Sequence, residues 1–221
     1  MVTTYGLIPA AGLSTRMGRP KLALPLGDRT VLECVIEALR QGGLDHILLV
    51  LGPETAPYAT MAQIAGAETL TLPEQTPEMR ATVTQGLACL ERGHQPRDED
   101  AWLLAPADHP TVQAAVVHAL LAARAEHPEY SIFVPTFEKR RGHPTLCSWK
   151  HARKILQEPP DHGLNVYFRR HSAETLEISW PTPEILWDVD TPEDYQRLLE
   201  MVSNNLPFTF SVGGAFFERS T

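Results

Sequence analysis

A loop near the start of the chain carries residue types that bind phosphate groups. The small residues 10–12 let a flat or anionic ligand approach the backbone closely, and Gly18 permits a positive φ. Arg16 and Lys21 add positive charge for phosphate oxygens, and successive backbone N–H groups in such a loop form a concavity that binds anions. The loop therefore predicts a site for a phosphate-bearing ligand, whose members are Ala10, Ala11, Gly12, Ser14, Arg16, Gly18 and Lys21.

The spacing within this loop excludes two common nucleotide-binding motifs. A P-loop requires its lysine to be followed by Ser or Thr, whereas Lys21 is followed by Leu22. The dinucleotide fingerprint requires a second glycine two residues after the first, and Gly12 has none at that position. A dehydrogenase built on that fingerprint is therefore disfavoured.

Two carboxylates follow apolar runs and are candidate metal ligands. Asp108 comes shortly after residues 102–105, and Asp190 directly follows residues 185–189. Hard divalent ions such as Mg²⁺ prefer carboxylate and phosphate oxygens. We expect Asp108 and Asp190 to share such an ion, with Asp188 as the competing second ligand. The alternative role of Asp108 and Asp190 is to cap the helices that follow them.

Alternating strands and helices must position these residues. Four strand–helix units are predicted, at residues 5–11 and 31–39, 46–51 and 57–64, 67–72 and 79–90, and 102–105 and 112–126. Parallel neighbouring strands need crossover helices, so the pattern predicts a three-layer α/β/α fold around a mostly parallel, Rossmann-like sheet. Ligands of such sheets bind beyond the carboxyl ends of the strands, where the basic loop and Asp108 are expected.

The second half of the chain is less regular. We expect strands at 130–135, 143–147, 176–180 and 185–189, helices at 149–156, 164–170 and 192–201, and a flexible polar segment at 91–100. These strands are predicted to form an antiparallel extension of the sheet. We therefore expect a single domain over residues 1–203, with a first half, 1–127, and a second half, 128–203, followed by a tail, 204–221.

Composition excludes several classes of protein. The 221 residues include 19 Lys and Arg against 27 Asp and Glu, and the net charge of −8 argues against general binding of nucleic acid or anionic membranes. Three cysteines without a CxxC spacing indicate neither a disulfide framework nor a zinc knuckle. The sequence has no apolar run of membrane-spanning length and no cationic leader, so we expect a cytoplasmic protein.

Five short motifs resemble, in the same order, those of the MobA-like nucleotidyltransferases, which include the molybdenum cofactor cytidylyl- and guanylyltransferases. They are AAGLSTRMGRPK at 10–21, MRATV at 79–83, ADHP at 107–110, RRGHP at 140–144 and DVDTPED at 188–194. The sequence departs from the family pattern at His109, where glutamine is usual, and at Gly-Leu-Asn 163–165, where Gly-Ala-Arg is usual. The joint match spans residues 5–203 and implies the nucleotide-diphospho-sugar transferase fold.

The resemblance implies transfer of a nucleoside monophosphate from a nucleoside triphosphate to a small phosphorylated acceptor, with pyrophosphate release and Mg²⁺ as the cofactor. It also implies that residues 1–127 are the half that binds the nucleotide and residues 128–203 the half that binds the acceptor. Catalysis of such a displacement consists mostly of positioning and charge neutralisation. Lys21 and Arg16 are expected to neutralise the triphosphate, and Asp108 is implied as the firm metal ligand with Asp190 as the second.

The third predicted helix and a basic turn supply the remaining site residues. Arg80 is expected near the base or ribose of the nucleotide and Thr82 is expected to face the nucleotide, and exposed positions on the helix surface explain them equally well. Arg141 and His143 are expected to bind the anionic acceptor, with a purely structural role as the alternative for His143.

The donor and acceptor are separate questions. In the family that the sequence resembles, Ala at position 11 accompanies cytidylyl transfer and Gly accompanies guanylyl transfer, so Ala11 favours CTP. The RRGHP turn implies a molybdopterin-like acceptor and, as a further partner, an enzyme that receives the finished cofactor. Open alternatives are a guanylyl or sugar-phosphate transferase and, from a different class, a nucleotide-binding regulator without catalysis.

Overall fold

The fold is built on one mixed, mostly parallel sheet. The computed structural model describes residues 2–12, 16–159 and 162–203, and in these residues the sheet has eight strands. Its strands are β1 (Thr4–Ala10), β4 (His46–Leu51), β5 (Glu68–Thr71), β6 (Ala101–Leu104), β7 (Ile132–Phe137), β8 (Arg140–Arg141), β9 (Thr145–Ser148) and β10 (Thr175–Ser179). A separate small hairpin consists of β2 (Pro25–Leu26) and β3 (Arg29–Thr30).

The strand order is β10-β7-β9-β6-β1-β4-β5, with β8 paired to β7. Strand β1 lies between β6 and β4 and runs parallel to both, as the alternating pattern predicts. Strand β9 runs antiparallel between β6 and β7 and therefore joins the two halves of the chain in one sheet. Strand β10 pairs parallel to β7, so the predicted antiparallel extension is wrong for this strand.

Seven α-helices of the described residues cover the sheet. They are α1 (Val31–Gln41), α2 (Ala59–Ile64), α3 (Met79–His94), α4 (Ala114–Glu126), α5 (Trp149–Gln157), α6 (Leu164–Arg170) and α7 (Pro192–Ser203). The apolar run of β4 contributes to the cores on both faces of the sheet. Leu49 and Leu51 belong to the core that includes residues of α1, α2, α4 and α7, whereas Leu48 and Val50 belong to the core that includes residues of α3, α5 and α6. The three-layer α/β/α fold is confirmed.

Close packing of α3 on the sheet depends on a glycine. A Cβ atom at Gly86 would collide with side chains of Leu7 and Val50 on the central strands. The missing side chain lets the helix axis approach the sheet, and this approach brings the first turn of α3 toward the carboxyl end of β1. Helix α3 continues to His94, so the predicted flexible segment 91–100 is partly helical.

The predicted strand at 185–189 is wrong. Residues Pro183–Leu186 form a 3-10 turn, and residues 187–191 have no regular structure. Backbone groups of this segment bind other loops instead of a neighbouring strand: His143 N donates to Ile185 O over 2.8 Å, and Val189 N donates to Asp108 O over 2.9 Å. The buried Ile185 and Val189 gave the segment its strand-like apolar character.

Other sequence-based expectations concern the cysteines, the helices and the tail. All three cysteines are free, and Cys34 and Cys147 are buried. In the described part of the chain, none of the helices has the length and apolar character that crossing a membrane requires. The expectations for Ser14 and for the tail 204–221 fall outside the described residues.

Candidate active site

A lysine and two aspartates form the centre of the candidate site, at the carboxyl ends of β1 and β6. The Lys21 Nζ atom lies 2.6 Å from Asp108 Oδ2 and 2.8 Å from Asp190 Oδ1. Arg16 reaches the other oxygen of Asp190, with its Nη2 atom 2.8 Å from Oδ2. The Lys21 side chain is only 14% exposed, whereas that of Arg16 is 72% exposed. The structure thus brings together the four residues that the sequence assigned to phosphate and metal binding.

A backbone hydrogen bond brings the two aspartates together. Val189 N donates to Asp108 O, which fixes the segment carrying Asp190 beside the loop that follows β6. Helix α7 is capped by Thr191, whose hydroxyl accepts from Asp194 N at 3.2 Å. Helix α4 has Gln113 at its N-cap. Since neither aspartate caps a helix, both carboxylates remain directed at Lys21.

The charges at the centre depend on one another. Burial raises the pKa of Asp108, but a hydrogen bond with His109 and the nearby Lys21 ammonium outweigh burial and hold this pKa well below its usual range. Burial lowers the pKa of Lys21, and the two aspartates outweigh that effect and raise it. Asp108 is therefore a carboxylate and Lys21 an ammonium ion at neutral pH.

Asp188 lies beside this centre and is more exposed. Burial is the main cause that raises its pKa, and the neighbouring negative charges of Asp190 and Asp108 raise it further. It contributes to the lining of the same cavity as Asp190. The Lys21 contacts join Asp190 rather than Asp188 to Asp108, which favours Asp190 as the second member of a metal-binding pair.

The two carboxylates fit a hard divalent cation. Each carboxylate has an oxygen within 3 Å of the Lys21 ammonium. The two aspartates therefore already hold one cation between them. Carboxylate oxygens are the donors that Mg²⁺ and Mn²⁺ prefer. A metal ion shared by Asp108 and Asp190 would require Lys21 to move to another anion, and a triphosphate supplies one.

A first cavity of about 350 Å³ extends from Lys21 along the end of β1. The backbone at this end is held by two side chains: Thr55 Oγ1 donates to Ala10 O over 2.8 Å, and Gln75 Nε2 donates to Ala11 O. A Cβ atom at Gly12 would have no described heavy atom within 4 Å, so this part of the wall is open. The cavity is the size of a small-molecule site, and residues 10–12 form part of its wall.

Residues that the sequence analysis missed form the opposite wall of this cavity. Gln75 and Thr76 precede α3, and Thr76 Oγ1 lies 2.6 Å from Thr82 Oγ1. Thr82 itself is nearly buried and lines the cavity. The polar segment before an amphipathic helix was the available signal, but only the fold brings it to face the end of β1. Gly18, as expected, has a positive φ of 65°.

Arg80 does not face the cavity, contrary to the expectation that it binds the base or ribose. Its side chain is buried, and Nη2 donates to Ile155 O and Glu158 O over 3.2 Å each. These carbonyls belong to the C-terminal end of α5, where a helix leaves backbone acceptors unpaired. Arg80 therefore joins α3 to the end of α5.

A second cavity of about 440 Å³ lies on the other side of Lys21 and Asp108. The exposed Arg141 lines it, and its Nε atom donates to Glu177 Oε1 over 2.8 Å. Gly142 is required in this turn because an added Cβ would lie 2.5 Å from Ile185 O. The remaining lining residues that carry charge are Arg16, Arg140, Asp188 and Asp190.

His143 contributes a neutral imidazole to the second cavity rather than a positive charge. Burial lowers its pKa to about 3, and its Nδ1 atom is enclosed with no hydrogen-bond partner among the described residues. Its ring meets that of His109 edge to face, with 4.7 Å between ring centroids. His109 Nδ1 in turn lies 3.0 Å from Asp108 Oδ1. His109, which stands where the family pattern has glutamine, therefore contacts both His143 and Asp108.

Comparison with known proteins gives the family. The model of the MobA-like NTP transferase domain matches residues 6–175. This chain belongs to that family. Nucleoside triphosphates are the donors that the family name describes, and the match includes the loop with Lys21 as well as Asp108.

Characterised relatives of this MobA-like chain have different activities. It is 26% identical over 200 residues to the nicotine blue oxidoreductase of Paenarthrobacter nicotinovorans, covering 88% of this chain and 95% of the relative. It is 24% identical over 190 residues to the molybdenum cofactor cytidylyltransferase of Escherichia coli, covering 86% and 92%. It is 27% identical over 202 residues to the molybdenum cofactor guanylyltransferase of Rhizobium meliloti, covering 86% and 88%.

Solved structures share the fold. Rv0371c of Mycobacterium tuberculosis, crystallised in complex with manganese, superposes with a TM-score of 0.68 and 27% identity over 90% of this chain and 99% of that one. A nucleotidyl transferase from Methanothermobacter thermautotroptrophicus superposes with a TM-score of 0.74 and 18% identity, over 91% and 98%. The MobA-like chain thus has the nucleotide-diphospho-sugar transferase fold.

Proposed function

We propose that this MobA-like protein transfers CMP from CTP to a small phosphorylated acceptor of the molybdopterin class and releases pyrophosphate, with Mg²⁺ as its cofactor. The observation that carries the proposal is the position of Lys21 and Asp108, which line both cavities. A nucleotide in the first cavity and an acceptor in the second would meet at this shared wall. The family match supports the general reaction class.

The chain's own residues are suited to a displacement at phosphorus. An oxygen of the acceptor phosphate forms a new bond to the α-phosphorus while the bond from that phosphorus to the bridging oxygen of the β-phosphate breaks, and pyrophosphate leaves with the electron pair. Lys21 and Arg16 are placed to neutralise the triphosphate, and Lys21 is held as an ammonium ion by the aspartates.

The metal and the acceptor complete this chemistry. A divalent ion held by Asp108 and Asp190 would supply further positive charge beside the phosphate oxygens. A phosphate monoester is largely ionised at neutral pH, since its second pKa is about 6. The acceptor therefore needs no general base, in agreement with the neutral His143, which can donate or accept a hydrogen bond in the second cavity.

The choice of CTP rests on Ala11 and on the relative from Escherichia coli. The choice of acceptor rests on the RRGHP turn, whose Arg141 and His143 line the second cavity. An enzyme that receives the finished cofactor is the protein partner implied by the same resemblance. The guanylyltransferase and oxidoreductase relatives define the alternatives that an experiment must separate.

A panel of nucleotides tests the donor. The melting temperature is measured with CTP, GTP, ATP and UTP, each with and without Mg²⁺, since a ligand that binds only the folded state raises it. We expect the largest rise with CTP and Mg²⁺. A larger rise with GTP would mean that GTP is the donor. A rise with CTP that does not depend on Mg²⁺ would favour the alternative of a nucleotide-binding protein without catalytic activity.

Turnover tests the reaction and its residues. Pyrophosphate release from CTP is measured with a molybdopterin acceptor for the wild type, Asp108→Asn and the control Asp98→Asn, whose side chain is 66% exposed. We expect Asp108→Asn to lower turnover by about 100- to 1,000-fold, the usual effect of removing one group that neutralises transition-state charge. Equal turnover in all three proteins would contradict the assignment of Asp108. Oxidation of NADH or NADPH without pyrophosphate release would instead assign an oxidoreductase.

A further inference from the structure

Two histidines and a glutamate lie close together at the end of the sheet opposite to the candidate active site. His46 is the first residue of β4, Glu68 is the first residue of β5, and His94 is the last residue of α3. The nucleotide and acceptor cavities lie at the carboxyl ends of the strands, so this cluster is separate from the proposed reaction. We propose that His46, Glu68 and His94 bind a transition-metal ion of the zinc class.

Strand pairing places these side chains on one face of the sheet. Tyr5 pairs with His46 across β1 and β4, and Leu48 pairs with Glu68 across β4 and β5. His46 and Leu48 point to the same face because side chains alternate along a strand. This is the face covered by α3, so the last turn of α3 brings His94 onto the row. The cluster follows from the topology and not from mobile loops.

The distances are close to those of a metal site. His46 Nδ1 lies 3.4 Å from Glu68 Oε1, and His94 Nε2 lies 3.7 Å from Glu68 Oε2. One ligand atom from each of the three residues lies within 4.8 Å of the others. Ligand atoms at about 2.0–2.1 Å from a tetrahedral zinc ion are about 3.4 Å apart. A small rotation of the side chains would therefore bring all three ligand atoms to the separation that a zinc ion requires.

The type of donor selects the metal. Two imidazoles and one carboxylate suit Zn²⁺ and similar ions, whereas the all-carboxylate pair of the active site suits Mg²⁺ or Mn²⁺. Three protein ligands leave a fourth position for water, and the side chains of His46, Glu68 and His94 are 35%, 54% and 25% exposed, so an ion can enter from solvent. The protein would then use two chemically distinct cations at its two ends.

The surroundings favour a cation and restrict the imidazoles. The C-terminal end of a helix carries partial negative charge, and His94 lies in the last turn of α3. The His46 ring stacks on the buried Tyr5 ring with 5.2 Å between centroids, and the His46 and His94 rings are 4.3 Å apart. An ion here would join β4, β5 and the end of α3, which stabilises the fold without taking part in the reaction.

Titration of the full chain with Zn²⁺ by calorimetry, and with Co²⁺ by visible absorption, tests this proposal. We expect one Zn²⁺ at the cluster and a Co²⁺ spectrum typical of tetrahedral or five-coordinate sites. Glu68→Gln and His94→Gln should each weaken binding at least about 10-fold, since even an outer partner of a metal ligand has that effect. Because Glu68 is exposed, Glu68→Gln is the variant that leaves packing unchanged.

Two controls make the result specific. His127→Gln changes a histidine that lies 3.3 Å from Glu129 and belongs to no three-ligand group among the described residues, and it should bind Zn²⁺ as the wild type does. Asp108→Asn should likewise retain this Zn²⁺ site. Unchanged Zn²⁺ affinity in both Glu68→Gln and His94→Gln, or the absence of saturable binding in the wild type, would overturn the proposal whatever the outcome for nucleotidyl transfer.

Discussion

Replacement of Lys21 by methionine should have opposite effects on turnover and on metal binding. The Lys21 ammonium lies between Asp108 and Asp190, at 2.6 and 2.8 Å, where a shared divalent ion would bind in the absence of nucleotide. Methionine fills a similar volume without the charge. We expect Lys21→Met to bind a divalent ion more tightly and to turn over more slowly than the wild type.

The size of both effects follows from the contacts that are lost. Lys21→Met removes two hydrogen bonds to carboxylates. One hydrogen bond to a charged group contributes about 1.5–3 kcal/mol, so the loss of even one of them should raise metal affinity at least about 10-fold. Loss of one charge that neutralises the reacting phosphates should lower turnover about 100- to 1,000-fold. Loss of a residue with only a structural role would not combine tighter metal binding with slower turnover.

The measurement uses Mn²⁺, because its free concentration can be followed by electron paramagnetic resonance. The titration is made in the His94→Gln background, so that only the carboxylate pair binds. Lys150→Met is the control, since Lys150 pairs at 2.9 Å with Glu174 and its side chain is 41% exposed. Equal or weaker Mn²⁺ affinity in Lys21→Met than in this control would refute the competition between the ammonium and the metal.

Three further predictions concern the two cavities and one buried histidine. Gly12→Val should weaken CTP binding and change the free energy of unfolding by less than about 0.5 kcal/mol, because an added Cβ meets no described atom; calorimetry and urea unfolding measure the two effects. Gly142→Ala should lower the free energy of unfolding by about 1–3 kcal/mol and raise the KM for the acceptor alone, since its Cβ would lie 2.5 Å from Ile185 O. Burial lowers the pKa of His151 to about 3, so only the unfolded chain binds this proton as pH falls below about 6.5. Between pH 7.5 and 5, His151 should therefore lower the free energy of unfolding by about 2 kcal/mol. The free energy of unfolding of His151→Gln should decrease less over the same pH range.

Each of these three predictions has a clear contrary outcome. Tight CTP binding by Gly12→Val would place the nucleotide elsewhere. Wild-type stability of Gly142→Ala would mean that the turn moves away from Ile185 easily. An equal loss of stability on acidification in the wild type and in His151→Gln would assign the effect to other groups.

The strand–helix alternation of the first half could be predicted because it depends on local patterns. The apolar run 46–51 matches β4, and Lys21 and Asp108, which were expected together because both follow strands of a parallel sheet, line one cavity. In the second half, the antiparallel direction of β9 agrees with the predicted extension, but its place between β6 and β7 could not be predicted, because pairing between distant segments leaves no local signal. Likewise, the apolar residues of 185–189 pack against the core from an irregular segment.

Individual side chains were harder to predict than elements. Arg80 was expected at the nucleotide because it lies on the first turn of α3. One side of this turn faces the first cavity, whereas Arg80 lies on another side, where carbonyl groups at the end of α5 bind its guanidinium group. Gln75 was missed because its contact with Ala11 O joins residues that are far apart in the chain. His143 was expected to bind the anionic acceptor, and the burial beside His109 that keeps its imidazole neutral could be known only from the fold.

The position of β9 limits how this protein can respond to its substrates. Its backbone hydrogen bonds connect β6, which leads to Asp108, with β7, which leads to the basic turn. A hinge between the nucleotide side and the acceptor side would have to break this continuous ladder, so we expect the described residues to adjust to substrates through side chains such as Lys21 instead. Turnover should accordingly show little dependence on solvent viscosity, in contrast to enzymes whose product leaves only after two lobes swing apart.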